Sequence, residues 1–147
     1  MQLSVIIFRR LGFYVAPVFL FLNLSANTVS VLGLVVGLFS AGLIFYEYII
    51  SGIIFYVLVS ILDHVDGTIA RAKGQATFYG RFLDGLFGII TISCVNLSLA
   101  ALIENNGGPT FIVWLGIISA VLIPLYSLIL DRYSTFVRWI KEEGNKI

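Results

Sequence analysis

The stretch Leu62-Asp63-His64-Val65-Asp66-Gly67-Thr68-Ile69-Ala70-Arg71, followed after Lys73-Gly74 by Gly80-Arg81-Phe82-Leu83-Asp84-Gly85-Leu86-Phe87-Gly88, sets three carboxylates, two arginines and a lysine inside an otherwise apolar chain. Ionisable groups at bilayer depth are expensive, so they face a protein interior and pair with something. The surroundings establish that depth. With 147 residues, 59% of them hydrophobic, and a mean hydropathy of +1.02, the composition is that of an integral membrane protein rather than a soluble domain. A membrane-spanning helix needs about 20 largely apolar residues. Four segments approach that length, and the predicted spans run over about 28–46, 49–72, 76–103 and 109–131.

The connections are equally legible. A short turn around Glu47, reaching at most Ser51-Gly52, joins the first two spans. Glu104-Asn105-Asn106-Gly107-Gly108-Pro109 joins the last two, with Pro109 placed to begin a helix. Leu11 to Leu24 is uncharged but short, and it contains Pro17. If it spans, Arg9-Arg10 lie opposite the remaining basic residues. If it does not, all nine Lys and Arg share the cytoplasmic side, and Glu47 and Glu104 mark the other. The positive-inside rule favours the second arrangement. Residues 3–24 are therefore expected to form an interfacial amphipathic helix, and residues 132–147 a cytoplasmic tail. The expected fold is an all-α integral membrane bundle of four spans preceded by that helix, a single membrane domain over 1–147. Arg9-Arg10 ahead of an apolar stretch superficially resemble a signal peptide, but no small-residue cleavage pattern follows, so the segment is read as retained. Cys94 has no partner cysteine, so neither a disulfide framework nor a thiolate metal site is expected. Nothing points to a nucleic-acid partner.

If the second and third spans form a hairpin turning near Lys73-Gly74, the helical rise puts Asp66 about 12 Å and Asp84 about 15 Å from the turn, nearly level. Asp63 lies one turn from Asp66 on the same face. Three carboxylates would then converge, and their mutual repulsion calls for a cation. Oxygen-only ligands favour magnesium, manganese or calcium. Magnesium completes its shell with water and substrate phosphates, so a diphosphate substrate follows. Gly67, Ala70, Gly80, Gly85 and Gly88 allow close helix approach or room for a planar group, and Arg71 and Arg81 could hold phosphate by paired hydrogen bonds. The plainer alternative for any single glycine is helix packing, and for Arg71, Lys73 and Arg81 it is anchoring at the membrane boundary.

Asp63, Asp66-Gly67, Ala70-Arg71, eight residues to Gly80, then Asp84, resembles the signature of the CDP-alcohol phosphatidyltransferases; Asn27-Thr28 and the segment from Tyr133 to Arg138 extend the resemblance more weakly. The resemblance implies a cytoplasm-facing helical membrane transferase, usually a homodimer of six-span chains. Such enzymes act in phospholipid biosynthesis, moving a phosphatidyl or substituted phosphoryl group from a CDP-linked lipid or CDP-alcohol donor to an alcohol acceptor with release of CMP. It implies Asp63, Asp66 and Asp84 as ligands of magnesium or manganese. Gly67, Ala70, Arg71, Gly80 and, with them, Arg81 would bind the substrate. Two departures stand out. The family pattern continues to a fourth aspartate, both a metal-site ligand and the proposed general base, at the position held here by Gly88, which can serve as neither, and two further family helices have no counterpart among the four spans. His64 is the one neutral-pH base in the cluster and a candidate substitute, although its position beside Asp63 should turn it to another face. Two other readings are a catalytically impaired family member or fragment that binds metal and CDP-lipid, and a structural or ion-pathway bundle whose acids line a route through the membrane.

Overall fold

The computed structural model describes residues 3–74 and 77–144. The expected start of the third span at residue 76 and the end of the tail, residues 145–147, lie outside them. Among the described residues there are five helices and no strand: α1 Leu3–Phe21, α2 Ala26–Phe45, α3 Ile49–Ala72, α4 Phe78–Asn105 and α5 Phe111–Gly144. Four segments are long and apolar enough to cross a membrane, Ala26–Phe45, Ile49–Ala72, Tyr79–Asn105 and Phe111–Leu130, whereas the apolar part of α1, Arg10–Phe21, falls short. The protein is an all-helical integral membrane protein with four candidate spans preceded by a shorter apolar helix.

The helix boundaries have local causes. Ser25 caps α2 by accepting from the Thr28 backbone N–H at 3.2 Å, and Thr77 caps α4 by accepting from the Gly80 N–H at 3.0 Å. Each satisfies an N–H that the helix itself leaves without a partner. The α2–α3 turn is Tyr46-Glu47-Tyr48, with Glu47 at φ 70°, and α3 starts immediately after it. Gly74 and Gly107, at φ 62° and 82°, end α3 and α4 in the left-handed region that glycine enters without a steric penalty. Helix α5 corrects one expectation. It does not stop with the span near residue 131 but continues to Gly144, because neither glycine nor proline occurs between Pro124 and Gly144 to break it.

Packing corrects a second expectation. The second and third spans, α3 and α4, do not form a packed hairpin: α2 packs on both, while α3 and α4 make no extensive contact with each other. The cause is the small-residue face of α2. Gly33 faces Leu62 of α3, a Cβ on Gly37 would stand 2.5 Å from the Thr91 methyl of α4, and the buried Ser40 hydroxyl donates to the Gly52 carbonyl at 2.8 Å. Side chains this small let the two neighbouring backbones approach α2 closely. Two apolar clusters complete the core. Val29 meets Ala16 of α1 and Val65 and Ile69 of α3; further along, Ala41 and Ile44 meet Val95 and Leu102 of α4. Helix α5 rests on α4, where Gly116 abuts the Ala100 methyl and Ser93 donates to the Ala120 carbonyl at 2.7 Å. Ile50, Ile53, Ile117 and Leu125 face outward as lipid-contacting residues do.

Gly37 supplies a stability prediction. Valine there drives branched methyls into Thr91, a stiff β-branched neighbour, and overpacking of this kind costs about 1–3 kcal/mol. Gly42, on the same helix, has nothing within 4 Å of an added Cβ. Gly37→Val is expected to lower the melting temperature in detergent while Gly42→Ala leaves it unchanged or raised; equal behaviour of the two variants contradicts the described packing.

Candidate functional site

Because α3 and α4 are held apart by α2, a space opens between their ends, and the polar cluster lines it. A cavity of about 300 Å³ is bounded by Asp66, Gly67, Ala70 and Arg71 from α3, by Gly80, Arg81 and Asp84 from α4 with its cap Thr77, and by Ala26, Asn27 and Ser30 from the first turns of α2. That volume is at the lower end of small-ligand sites. A smaller space of about 30 Å³ adjoins it, lined by Asp63, Asp66, Asp84, Gly88 and Thr91 among others, and Ser30, Asp66 and Asp84 belong to both.

The carboxylates differ in setting. Asp66 is 4% exposed and accepts a hydrogen bond from the Ser30 hydroxyl at 2.5 Å. Asp84 is half-buried and lines the smaller space together with Asp63. Asp63 is the most exposed and also approaches His64 Nδ1, at 3.6 Å. Among the described residues no arginine or lysine forms an ion pair with any of the three. Two basic side chains, Arg71 and Arg81, line the larger cavity as well. Arg71 lies back along α3, its guanidinium 3.5 Å from where a Gly67 Cβ would be and 3.4 Å from the Thr68 hydroxyl that accepts from it. Arg81 is exposed at the start of α4.

The first turns of both α2 and α4 line the larger cavity, so two helix N-termini, with their partial positive charge, join Arg71 and Arg81 there. One cavity thus carries both acids and anion-binding groups in its wall. The all-oxygen donor set, with no arginine or lysine paired to it among the described residues, fits a hard divalent ion. Asp63, Asp66 and Asp84 are not drawn to ligand spacing, however: among the described residues no three carboxylate, imidazole or thiol groups cluster tightly enough to enclose an ion.

The remaining residues expected at the site sort clearly. Gly80 is needed for room, since an added Cβ would stand 3.1 Å from the Asn27 amide oxygen and 3.2 Å from the Thr77 hydroxyl. Gly67 is not crowded, and nothing lies within 4 Å of a Cβ on Gly85 or Gly88. His64 lines neither space. It points to α1, its Nδ1 2.8 Å from the Ser60 carbonyl oxygen, its ring beside Phe8 and its Cβ against Gly12. Lys73 is structural, with its ammonium donating to Asn23 Oδ1 at 3.0 Å and to the Leu24 carbonyl at 2.9 Å. Sequence reasoning missed Ser30 and Thr77, and it noted Asn27 only as part of a resemblance. The signal for Ser30 was the stripe Ser30, Gly33, Gly37, Ser40 on α2, which marks the face turned toward α3 and α4.

Fold and cavity together define an integral membrane protein with a polar, mixed-charge site at one end of its helical bundle. The family model of CDP-alcohol phosphatidyltransferase matches residues 23–143, from the end of α1 through nearly all of α5, and the chain belongs to that family. It is accordingly placed among transferases acting on CDP-alcohols at membranes. Neither a curated protein nor a solved structure matches the chain.

Proposed function

We propose that this protein transfers a phosphatidyl or other substituted phosphoryl group from a CDP-linked donor to an alcohol, releasing CMP, in phospholipid synthesis. The observation that carries the reading is that one cavity is lined both by carboxylates, Asp66 and Asp84, and by anion-binding groups, Arg71, Arg81 and two helix N-termini. In this reading Arg71, Arg81 and the N-termini of α2 and α4 bind and orient the donor's diphosphate. Gly67, Ala70 and Gly80 keep the floor low enough for the nucleotide. Asp63, Asp66 and Asp84 hold magnesium or manganese, which when bound would offset diphosphate charge and stabilise the departing CMP. The acceptor oxygen forms a bond to the donor phosphorus as the bond to CMP breaks, and the hydroxyl proton leaves to a base.

Gly88 cannot supply that base, and His64 faces α1. That observation favours a second reading, in which the protein binds the donor and turns it over slowly. Orientation belongs to the proposal as well. The cavity is at the end of the bundle that carries Arg71, Lys73 and Arg81, while Asn106 donates to Glu47 at 3.1 Å at the other end. A cytoplasm-facing site, with α1 lying in the headgroup region, follows from the positive-inside rule.

The test is CMP release from labelled CDP-diacylglycerol by the purified protein with magnesium or manganese and a panel of alcohols. Alcohol-dependent release is the expected result, at a low rate if the second reading holds. The same donor remaining intact with every alcohol, while still bound, sets transfer aside and leaves binding.

A further inference from the structure

Ser30 is absorbed by neither the sequence motif nor the charge argument, yet it touches the least exposed acid of the cluster. A serine inside a helix ordinarily returns its hydroxyl to the carbonyl four residues back. Here that carbonyl, Ala26, stands at 3.2 Å, whereas Asp66 Oδ2 on the neighbouring helix stands at 2.5 Å. A hydroxyl has one proton to donate, and the shorter contact is the one to the carboxylate. Asp66 is buried, lines both spaces and has no basic partner among the described residues. Ser30 supplies the side-chain hydrogen bond that reaches it from a neighbouring helix. Ser30 in turn is fixed from α2, the helix that contacts both α3 and α4.

We propose that Ser30 is a positioning residue for Asp66, holding its carboxylate at the boundary of the two spaces in the orientation that binds a divalent cation. The inference rests on the proposed role of Asp66 as a metal ligand. Hydrogen-bonded partners one shell out from a metal orient its ligands, and their loss typically weakens metal binding about 10- to 100-fold. A residue that only staples α2 to α3 would affect stability without selectively changing ion affinity.

The experiment is a titration of the purified protein in detergent with Mn²⁺, following free Mn²⁺ by electron paramagnetic resonance, alongside melting temperature in metal-free buffer. Ser30→Ala is expected to bind Mn²⁺ about 10- to 100-fold more weakly than the wild type, and Ser30→Thr, which restores a hydroxyl, to recover most of that loss. Should Ser30→Ala not fold, Ser30→Cys, a weak donor of similar size, takes its place with the same expectation of weakened binding. Equal Mn²⁺ affinity in the wild type and the hydroxyl-free variant overturns the role of Ser30 alone. A wild type that binds no Mn²⁺ overturns the metal-site reading and the inference with it.

Discussion

Asp66→Ala and Asp84→Ala are each expected to reduce CMP release by about 100- to 1000-fold or more, the scale on which removal of one preorganised charge-stabilising group acts. Both residues line the larger and the smaller space, and no basic side chain among the described residues takes over their charge. Asp66 has an additional reason for a large effect. It is buried against α2 with its hydroxyl partner Ser30, so no solvent-exposed neighbour substitutes for it. His64→Ala serves as the control, because that side chain is turned toward Phe8 and Gly12 on α1. Its expected effect on turnover is small. Release rates measured side by side for the three variants check the assignment, and a severe loss in His64→Ala with Asp84→Ala unaffected would reverse the roles given to the two faces of the site.

Gly88→Asp is expected to raise turnover, by about 100- to 10,000-fold if proton removal from the acceptor limits the present rate. Space permits the substitution: nothing lies within 4 Å of a Cβ at this position, and Gly88 lines the smaller space together with Asp63, Asp66 and Asp84. A carboxylate introduced there would stand one helical turn from Asp84, within the same constellation. The variant adds a fourth negative charge to three with no arginine or lysine partner among the described residues, so its benefit should depend on added magnesium or manganese and disappear with a chelator. An unchanged or lowered kcat at saturating metal and donor means that the missing base is not what slows the reaction.

Much of this architecture was legible in the sequence because the relevant signals are local. The apolar runs are long enough to identify each span, and Glu47 and the Asn106-Gly107-Gly108-Pro109 segment mark the turns at the end of the bundle away from the polar cavity. The i, i+3 spacing of Asp63 and Asp66 likewise fixed their relation on one helix. What escaped was non-local. The partner of α3 depends on how closely backbones can approach, and only the combined pattern of Gly33, Gly37 and Ser40 on a third helix reveals that α2 separates α3 from α4. The cavity arises from that separation, so Ser30, which α2 contributes to its wall, was hidden for the same reason. The extension of α5 to Gly144 was missed differently. Its charged residues read as a tail leaving the membrane, but leaving the bilayer does not require leaving the helix.

Asp63, Asp66 and Asp84, proposed as a divalent-cation site serving a diphosphate-bearing donor, are tested more directly by binding than by turnover, because binding does not need the base that Gly88 cannot supply. Equilibrium binding of CDP-diacylglycerol to the purified protein should therefore be measured with Mn²⁺, with excess chelator, and again with Asp66→Ala and Asp84→Ala. Binding that requires Mn²⁺ and is lost in both variants is expected; donor binding that is indifferent to the chelator and to both aspartates would contradict the assignment of the three carboxylates.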